Sequence, residues 1–129
     1  MKEESPKGKI LVVDDDENIV KTVKIRLEET GGYQVITASD GQEGLEAAKA
    51  HNPDLILLNV MMPHLNGIMA TLRLKGTEQT KSIPVIIMTG IKERDEMILA
   101  KHVGAADYIT KPFESADLLK KIERLLSKK

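Results

Sequence analysis

Ile10-Leu11-Val12-Val13, Leu55-Ile56-Leu57-Leu58 and Val85-Ile86-Ile87-Met88 are unbroken apolar runs that end on Asp14, Asn59 and Thr89 respectively. A shorter run, Tyr108-Ile109, ends on Thr110-Lys111-Pro112. Strands with one wet face alternate apolar and polar residues, whereas strands covered on both faces do not, so these runs predict the inner strands of a parallel sheet. Between them, apolar residues recur every three or four positions, the spacing of a helix with one buried face. The first such segment, from about 16 to 30, carries Ile19, Val20, Val23 and Leu27 on one stripe and stops at Gly31-Gly32. The second starts at Asp40-Gly41, carries Leu45 and Ala48, and stops near Asn52-Pro53. A third follows a turn at Asn66-Gly67 and points Ile68 and Leu72 inward. The fourth spans about 92 to 102 and ends at Gly104, and the last buries Leu118, Ile122, Leu125 and Leu126. Strands are expected at 9–13, 33–37, 54–58, 84–88 and 106–109. Five strand-helix units with right-handed crossovers predict an α/β doubly wound five-stranded parallel sheet flanked by five helices.

In a sheet of this kind, ligands and reactions sit beyond the carboxyl ends of the strands. Asp14, Asp15, Asn59, Thr89 and Lys111 would then converge on one pocket. The carboxylates suit a hard cation such as Mg²⁺, and the hydroxyl and ammonium suit a dianion. Each has a simpler explanation alone. Asp14 to Asp16 would serve as an N-cap cluster, with Asp16 the cap itself. Thr89 fits a strand by its β-branching, Lys111 fits a wet surface, and Pro112 fits a strand end. Their joint placement, each at the end of a strand run, is what singles them out. His51, His64 and His102 lack metal-ligand spacing and read as surface residues, and Met61, Met62, Met69, Met88 and Met97 read as core fillers. Gly41-Gln42-Glu43-Gly44 is too short, and too far from the first strand, to cradle a dinucleotide.

The acid pair Asp14 and Asp15, the hydroxyl Thr89, the Lys111-Pro112 dipeptide and the aromatic Tyr108 three residues before the lysine resemble the motifs of receiver domains in two-component response regulators, CheY-like proteins. The resemblance covers Lys9 to about Leu126 and implies sheet order 2-1-3-4-5. It further implies a phosphorelay in which an aspartate takes a phosphoryl group from a phosphohistidine of a sensor histidine kinase or phosphotransfer protein. Mg²⁺ would be held directly by Asp15, the side-chain oxygen at position 59 and the backbone carbonyl of Met61, with Asp14 acting through water. Lys111 would neutralise the transferring group, and Thr89 and Tyr108 would form the switch. One position departs from the family pattern: where the phosphoryl-accepting aspartate should begin an Asp-x-x-x-Pro loop, this chain has Asn59-Val60-Met61-Met62-Pro63.

A carboxamide is a poor phosphoryl acceptor, so the resemblance implies a receiver without its trigger. Either this is the inactive-state form of an active receiver, or it is a natural pseudo-receiver used as an interaction module. The survival of every other site residue favours the first. The same resemblance points to the fourth helix, fifth strand and last helix as the face for an output domain or a weak homodimer, with Asp107, Lys120 and Lys121 among its charges. The same aspartates also fit an enzyme of a different class. Asp14-Asp15-Asp16 contains the Asp-x-Asp of a haloacid-dehalogenase-type phosphatase, but the only later acid pair, Asp95 and Glu96, falls inside the fourth predicted helix. A signalling module, not an enzyme, is therefore expected.

Composition narrows the class without changing it. A chain of 129 residues is the size of one domain, here expected as a single receiver domain with core 9–126 and a flexible lead over residues 1–8. Formal charge is −1 with 30% charged residues, which gives no electrostatic case for direct nucleic-acid binding. The absence of cysteine agrees with a reducing compartment. No apolar run is long enough for a membrane span, and the charged opening lacks a signal-peptide core, so a cytoplasmic location with no membrane partner is expected. No linker or output module is visible in the pattern.

Overall fold

The computed structural model describes residues 7–62, 65–90, 98 and 101–127. Its strands are β1 Lys9–Val13, β2 Gln34–Ala38, β3 Leu55–Asn59, β4 Val85–Gly90 and β5 Asp107–Lys111. Every neighbouring pair is parallel, and the order across the sheet is β2-β1-β3-β4-β5. The order in which strands join the sheet reverses between β1 and β3, which makes the crevice at their carboxyl ends the natural site. Successive strand residues feed two apolar layers. Leu11, Val13, Ile56, Leu58 and Ile87 pack on one face, and Ile10, Val12, Leu55, Leu57, Ile86 and Met88 on the other.

The helices with described bounds are α1 Glu17–Ile25, α2 Gly41–His51, α3 Gly67–Lys75 and α4 Ser115–Leu126. A π-helical turn, Arg26–Thr30, continues α1 to the predicted glycine pair. Of the helix expected at 92–102, only Ile98, Lys101 and His102 are described, and all three are helical. The charges of its first turn, Met97, and the Asp95-Glu96 pair lie outside the described residues, as do His64 and Pro63. Capping follows the sequence closely. Asp16 accepts from the N–H groups of Asn18 and Ile19, Asp40 from Glu43, and Asn66 from Met69. Each satisfies a donor that the first helical turn leaves open.

Several expectations need correction. In α3, Leu72 does not face inward but is 50% exposed, while Ala70, Thr71 and Leu74 are buried. Ile68 faces inward as expected, beside Gly67 where the helix touches the exit of β3, and Leu72 falls at the rim of that stripe. Met61 and Met69 are exposed rather than core fillers, whereas Met88 is fully buried. The lead segment is also tied down near its end: Lys7 N–H donates to the Gly32 carbonyl (2.9 Å), and Gln34 N–H donates to the Gly8 carbonyl (2.9 Å). Four predicted strands stop too early, because β2, β3, β4 and β5 continue through Ala38, Asn59, Gly90 and Lys111. Ladder pairing is a backbone property and does not end where the apolar run ends.

Candidate functional site

The carboxyl end of β1 delivers Asp14 to the centre of the crevice. Its N–H donates to the Ala38 carbonyl of β2 (3.2 Å), which fixes the backbone. Its side chain is wholly buried and accepts from Asp16 N–H (3.0 Å), Lys111 Nζ (3.0 Å) and Asn59 Nδ2 (3.2 Å). Burial pushes the Asp14 carboxyl above its ordinary range, while the Asp16 N–H and the Lys111 ammonium pull it back down and Asp15 adds to the rise.

That shift has a sign for stability. Ionising a group whose folded pKa is raised costs the folded state, and the cost is absent below the ordinary carboxylate pKa of about 4 and grows as pH rises through the raised value. Lys111→Met removes the opposing cation and deepens the cost. The variant should lose about 2 kcal/mol or more near neutral pH, less than for a fully isolated buried charge because two donors to Asp14 remain. Its melting deficit relative to the unmodified protein should shrink as pH is lowered toward 4. A deficit that stays constant across that range would mean that Asp14 does not titrate against Lys111.

Asn59 closes β3 and faces both partners at once. Its Oδ1 accepts from Lys111 Nζ (2.9 Å), and its Nδ2 donates to the Met61 carbonyl (2.9 Å), to Asp14 Oδ1 (3.2 Å) and, at the limit of the range, to Asp15 Oδ1 (3.5 Å). Chemistry fixes this orientation. An ammonium can only donate, so the atom facing it must be oxygen, and carboxylates and carbonyls can only accept, so the atom facing them must be the NH₂. The fold thus brings Asn59 together with Asp14, Asp15, Lys111 and the Met61 carbonyl. Its side-chain oxygen, however, is turned toward Lys111 and its nitrogen toward the oxygens expected to hold a cation.

Thr89 is fully buried near the end of β4, where it pairs in register with Thr110, while Gly90 pairs with Lys111. Tyr108 pairs with Ile87 and is half-buried against the apolar layer beneath α2 and α3. The Lys111-Pro112 peptide is cis. Asp107, expected as a charge for a partner, is engaged within the chain by Lys121 (3.1 Å) and by Arg124.

Two positions that sequence reading treated only as turn or helix-start residues shape the site. A Cβ on Gly67 would lie 2.2 Å from the Asn59 carbonyl oxygen, and one on Gly41 would lie 2.3 Å from the Leu65 carbonyl oxygen. Together with the bond from Gly67 N–H to the Val60 carbonyl (2.8 Å), these contacts hold the exit of β3 at backbone distance from α3. The available signal was a glycine directly after a capping residue, where no turn geometry requires one.

The family model for the response regulator receiver domain matches residues 10–123. The chain is a response regulator receiver domain. This receiver is 42% identical over 118 residues to the alkaline phosphatase synthesis transcriptional regulatory protein PhoP of Bacillus subtilis, covering 92% of this chain and 48% of that one. It is 38% identical to protein PilH of Pseudomonas aeruginosa, covering 93% of this chain and 98% of that one. The receiver thus spans about half the length of one curated relative and nearly all of the other. Among solved structures it superposes on Vibrio cholerae chemotaxis protein CheY4 with a TM-score of 0.85 at 34% identity, covering 92% of this chain and 98% of that one. The receiver domain of a sensor histidine kinase from Pseudomonas aeruginosa, solved with a magnesium ion coordinated in its active-site cleft, matches with a TM-score of 0.85 at 27% identity, covering 93% and 98%. Two-component phosphorelay signalling is the function of this family, and no described helix of this receiver is long and apolar enough to cross a membrane.

Proposed function

We propose that this receiver is held in the unphosphorylated state because Asn59 occupies the phosphoacceptor position. The carrying observation is the Asn59 side chain itself, locked between the acid pair and Lys111 at the end of β3. A receiver aspartate attacks the phosphorus of a phosphohistidine through a charged oxygen. The Asn59 oxygen is neutral and its nitrogen is delocalised, so neither atom is a competent nucleophile. Lys111 remains placed to neutralise a transferring phosphoryl group, and Thr89 and Tyr108 remain the switch pair. Phosphoryl uptake by the protein and by Asn59→Asp is the test.

Asp14, Asp15 and the Met61 carbonyl present hard oxygens toward one point, a donor set that fits Mg²⁺. Among the described residues no group of three or more acidic, His or Cys side chains that could hold a metal occurs, and the third oxygen here is the Met61 carbonyl. Bound Mg²⁺ would supply charge neutralisation to the phosphoryl group, and the loss of one carboxylate weakens its binding. Two carboxylates against one ammonium leave a formal −1 in the cleft, whereas an aspartate at position 59 would make it −2. That added repulsion, about 1 to 4 kcal/mol for like charges near 4 Å apart depending on solvent access, should also lower the metal-free melting temperature of Asn59→Asp.

The partner is a sensor histidine kinase or phosphotransfer protein, and the chain acts as a binding module rather than an enzyme. The β5 and α4 surface is the face for an output domain or second copy. Because Asp107 is already paired within the chain by Lys121 and Arg124, it contributes little across a dimer. Sedimentation should show a monomer or a weak dimer, and a tight dimer at micromolar concentration would contradict this.

A further inference from the structure

Three oxygens that can only accept, Asp14 Oδ1, Asp15 Oδ1 and the Met61 carbonyl, converge on a single atom, and that atom is the Asn59 Nδ2. We infer that the Asn59 amide is a built-in cation substitute: its NH₂ group plugs the position a divalent cation would take, and Mg²⁺ must displace it to bind. This rests on the reading of Asp15, position 59 and Met61 as the cation-binding positions, and it goes further than the missing charge. The carboxamide carries a partial positive charge on its NH₂ hydrogens and offers two donors to oxygens that would otherwise repel one another. The Lys111 ammonium holds the other end of the amide at 2.9 Å. Turning the amide so that Oδ1 faces the acids would set oxygen against three acceptors and NH₂ against an ammonium, so both ends lose at once. Asn59 is also 7% exposed, which leaves water little access to compensate the broken bonds.

The plug and the missing charge predict different orders of Mg²⁺ affinity. If only charge and ligand number mattered, Asn59→Ala would bind no better than the unmodified protein, because it restores no charge and deletes one oxygen. If the NH₂ is a plug, Asn59→Ala removes the competitor and leaves room for water. Mg²⁺ ordinarily keeps several waters, so water replaces the deleted ligand. The expected order is Asn59→Asp tightest, Asn59→Ala next and the unmodified protein weakest, with the alanine form binding on the order of tenfold more tightly than the asparagine form.

Calorimetric titration of the three proteins with Mg²⁺ at neutral pH reads this order directly. An alanine form that binds equally or more weakly than the unmodified protein overturns the plug while leaving the receiver reading intact. Failure of Asn59→Asp to bind Mg²⁺ overturns the cation-site reading on which it rests. A second measurement does not depend on the alanine form folding. In ¹H–¹⁵N spectra of the unmodified protein, the Asn59 side-chain NH₂ should exchange slowly with solvent and keep its position at Mg²⁺ concentrations that saturate Asn59→Asp. Rapid exchange, or a shift over that same concentration range, would show an amide that does not hold the site closed.

Discussion

Replacing Gly67 with alanine is expected to cost the protein about 2 to 3 kcal/mol and to lower its melting temperature by roughly 10 °C. The added methyl would meet the Asn59 carbonyl oxygen at 2.2 Å, the Asn59 carbonyl carbon at 2.8 Å and the Val60 Cα at 3.0 Å. All three are backbone atoms of β3 and its exit, so no side chain can swing aside. Relief requires α3 to move off the sheet, which stretches the 2.8 Å bond from Gly67 N–H to the Val60 carbonyl and shifts the segment that carries Asn59 and Met61. Gly76, at the other end of the same helix, is the control. A Cβ there would approach only the Leu72 carbonyl at 3.4 Å and the Arg73 carbonyl at 3.8 Å, at an ordinary negative φ of −90°. Gly76→Ala should be neutral or slightly stabilising, since it also restricts the unfolded chain. Thermal melts of both variants decide it. Equal effects at the two positions would mean that α3 does not press on the exit of β3.

The same close approach explains where the sequence was legible and where it was not. Contiguous apolar runs located β1, β3 and β4 because a strand buried on both faces has no alternative pattern. The polar residues at their ends marked the crevice for the same reason: they were the first residues released from the two apolar layers. Helix phase was harder. Ile68 and Leu72 both satisfy the helical spacing, but only Ile68 is buried; the inner stripe of α3 is Gly67, Ile68, Ala70, Thr71 and Leu74, with its smallest residue where the helix meets the exit of β3. Met61 and Met69 flank this region and are exposed, which no apolarity scale would show. Position 59 was singled out by its place in a motif, and that its side chain is uncharged follows from residue type alone. The direction of its amide does not, because it depends on which neighbours arrive from β1, from the β3 exit and from β5. Lys111 lies 52 residues along the chain from Asn59 and 97 from Asp14, and only the folded sheet brings the three together.

Phosphoryl acceptance should be switched by the single substitution Asn59→Asp, the largest functional effect expected in this chain. The substitution places a charged oxygen where the amide oxygen now sits 2.9 Å from the Lys111 ammonium. It also supplies a third carboxylate facing the oxygens of Asp15 and Met61, the condition under which Mg²⁺ binding and charge neutralisation become effective together. The proposed site's other side chains, Asp14, Asp15, Thr89, Tyr108 and Lys111, are untouched by the substitution. Asn59→Ala serves as a control, because it opens the cleft and gains no nucleophile.

Intact-mass spectrometry after incubation with a small acyl phosphate and Mg²⁺, or with a phosphorylated partner kinase, tests the proposed role of Asn59 most directly. The unmodified protein and Asn59→Ala should stay at their unmodified masses, while Asn59→Asp should gain one phosphoryl group that is lost on prolonged incubation, as an acyl phosphate is. A phosphoryl adduct on the unmodified protein, or none on Asn59→Asp under the same conditions, would contradict the assignment of position 59 as the disabled acceptor.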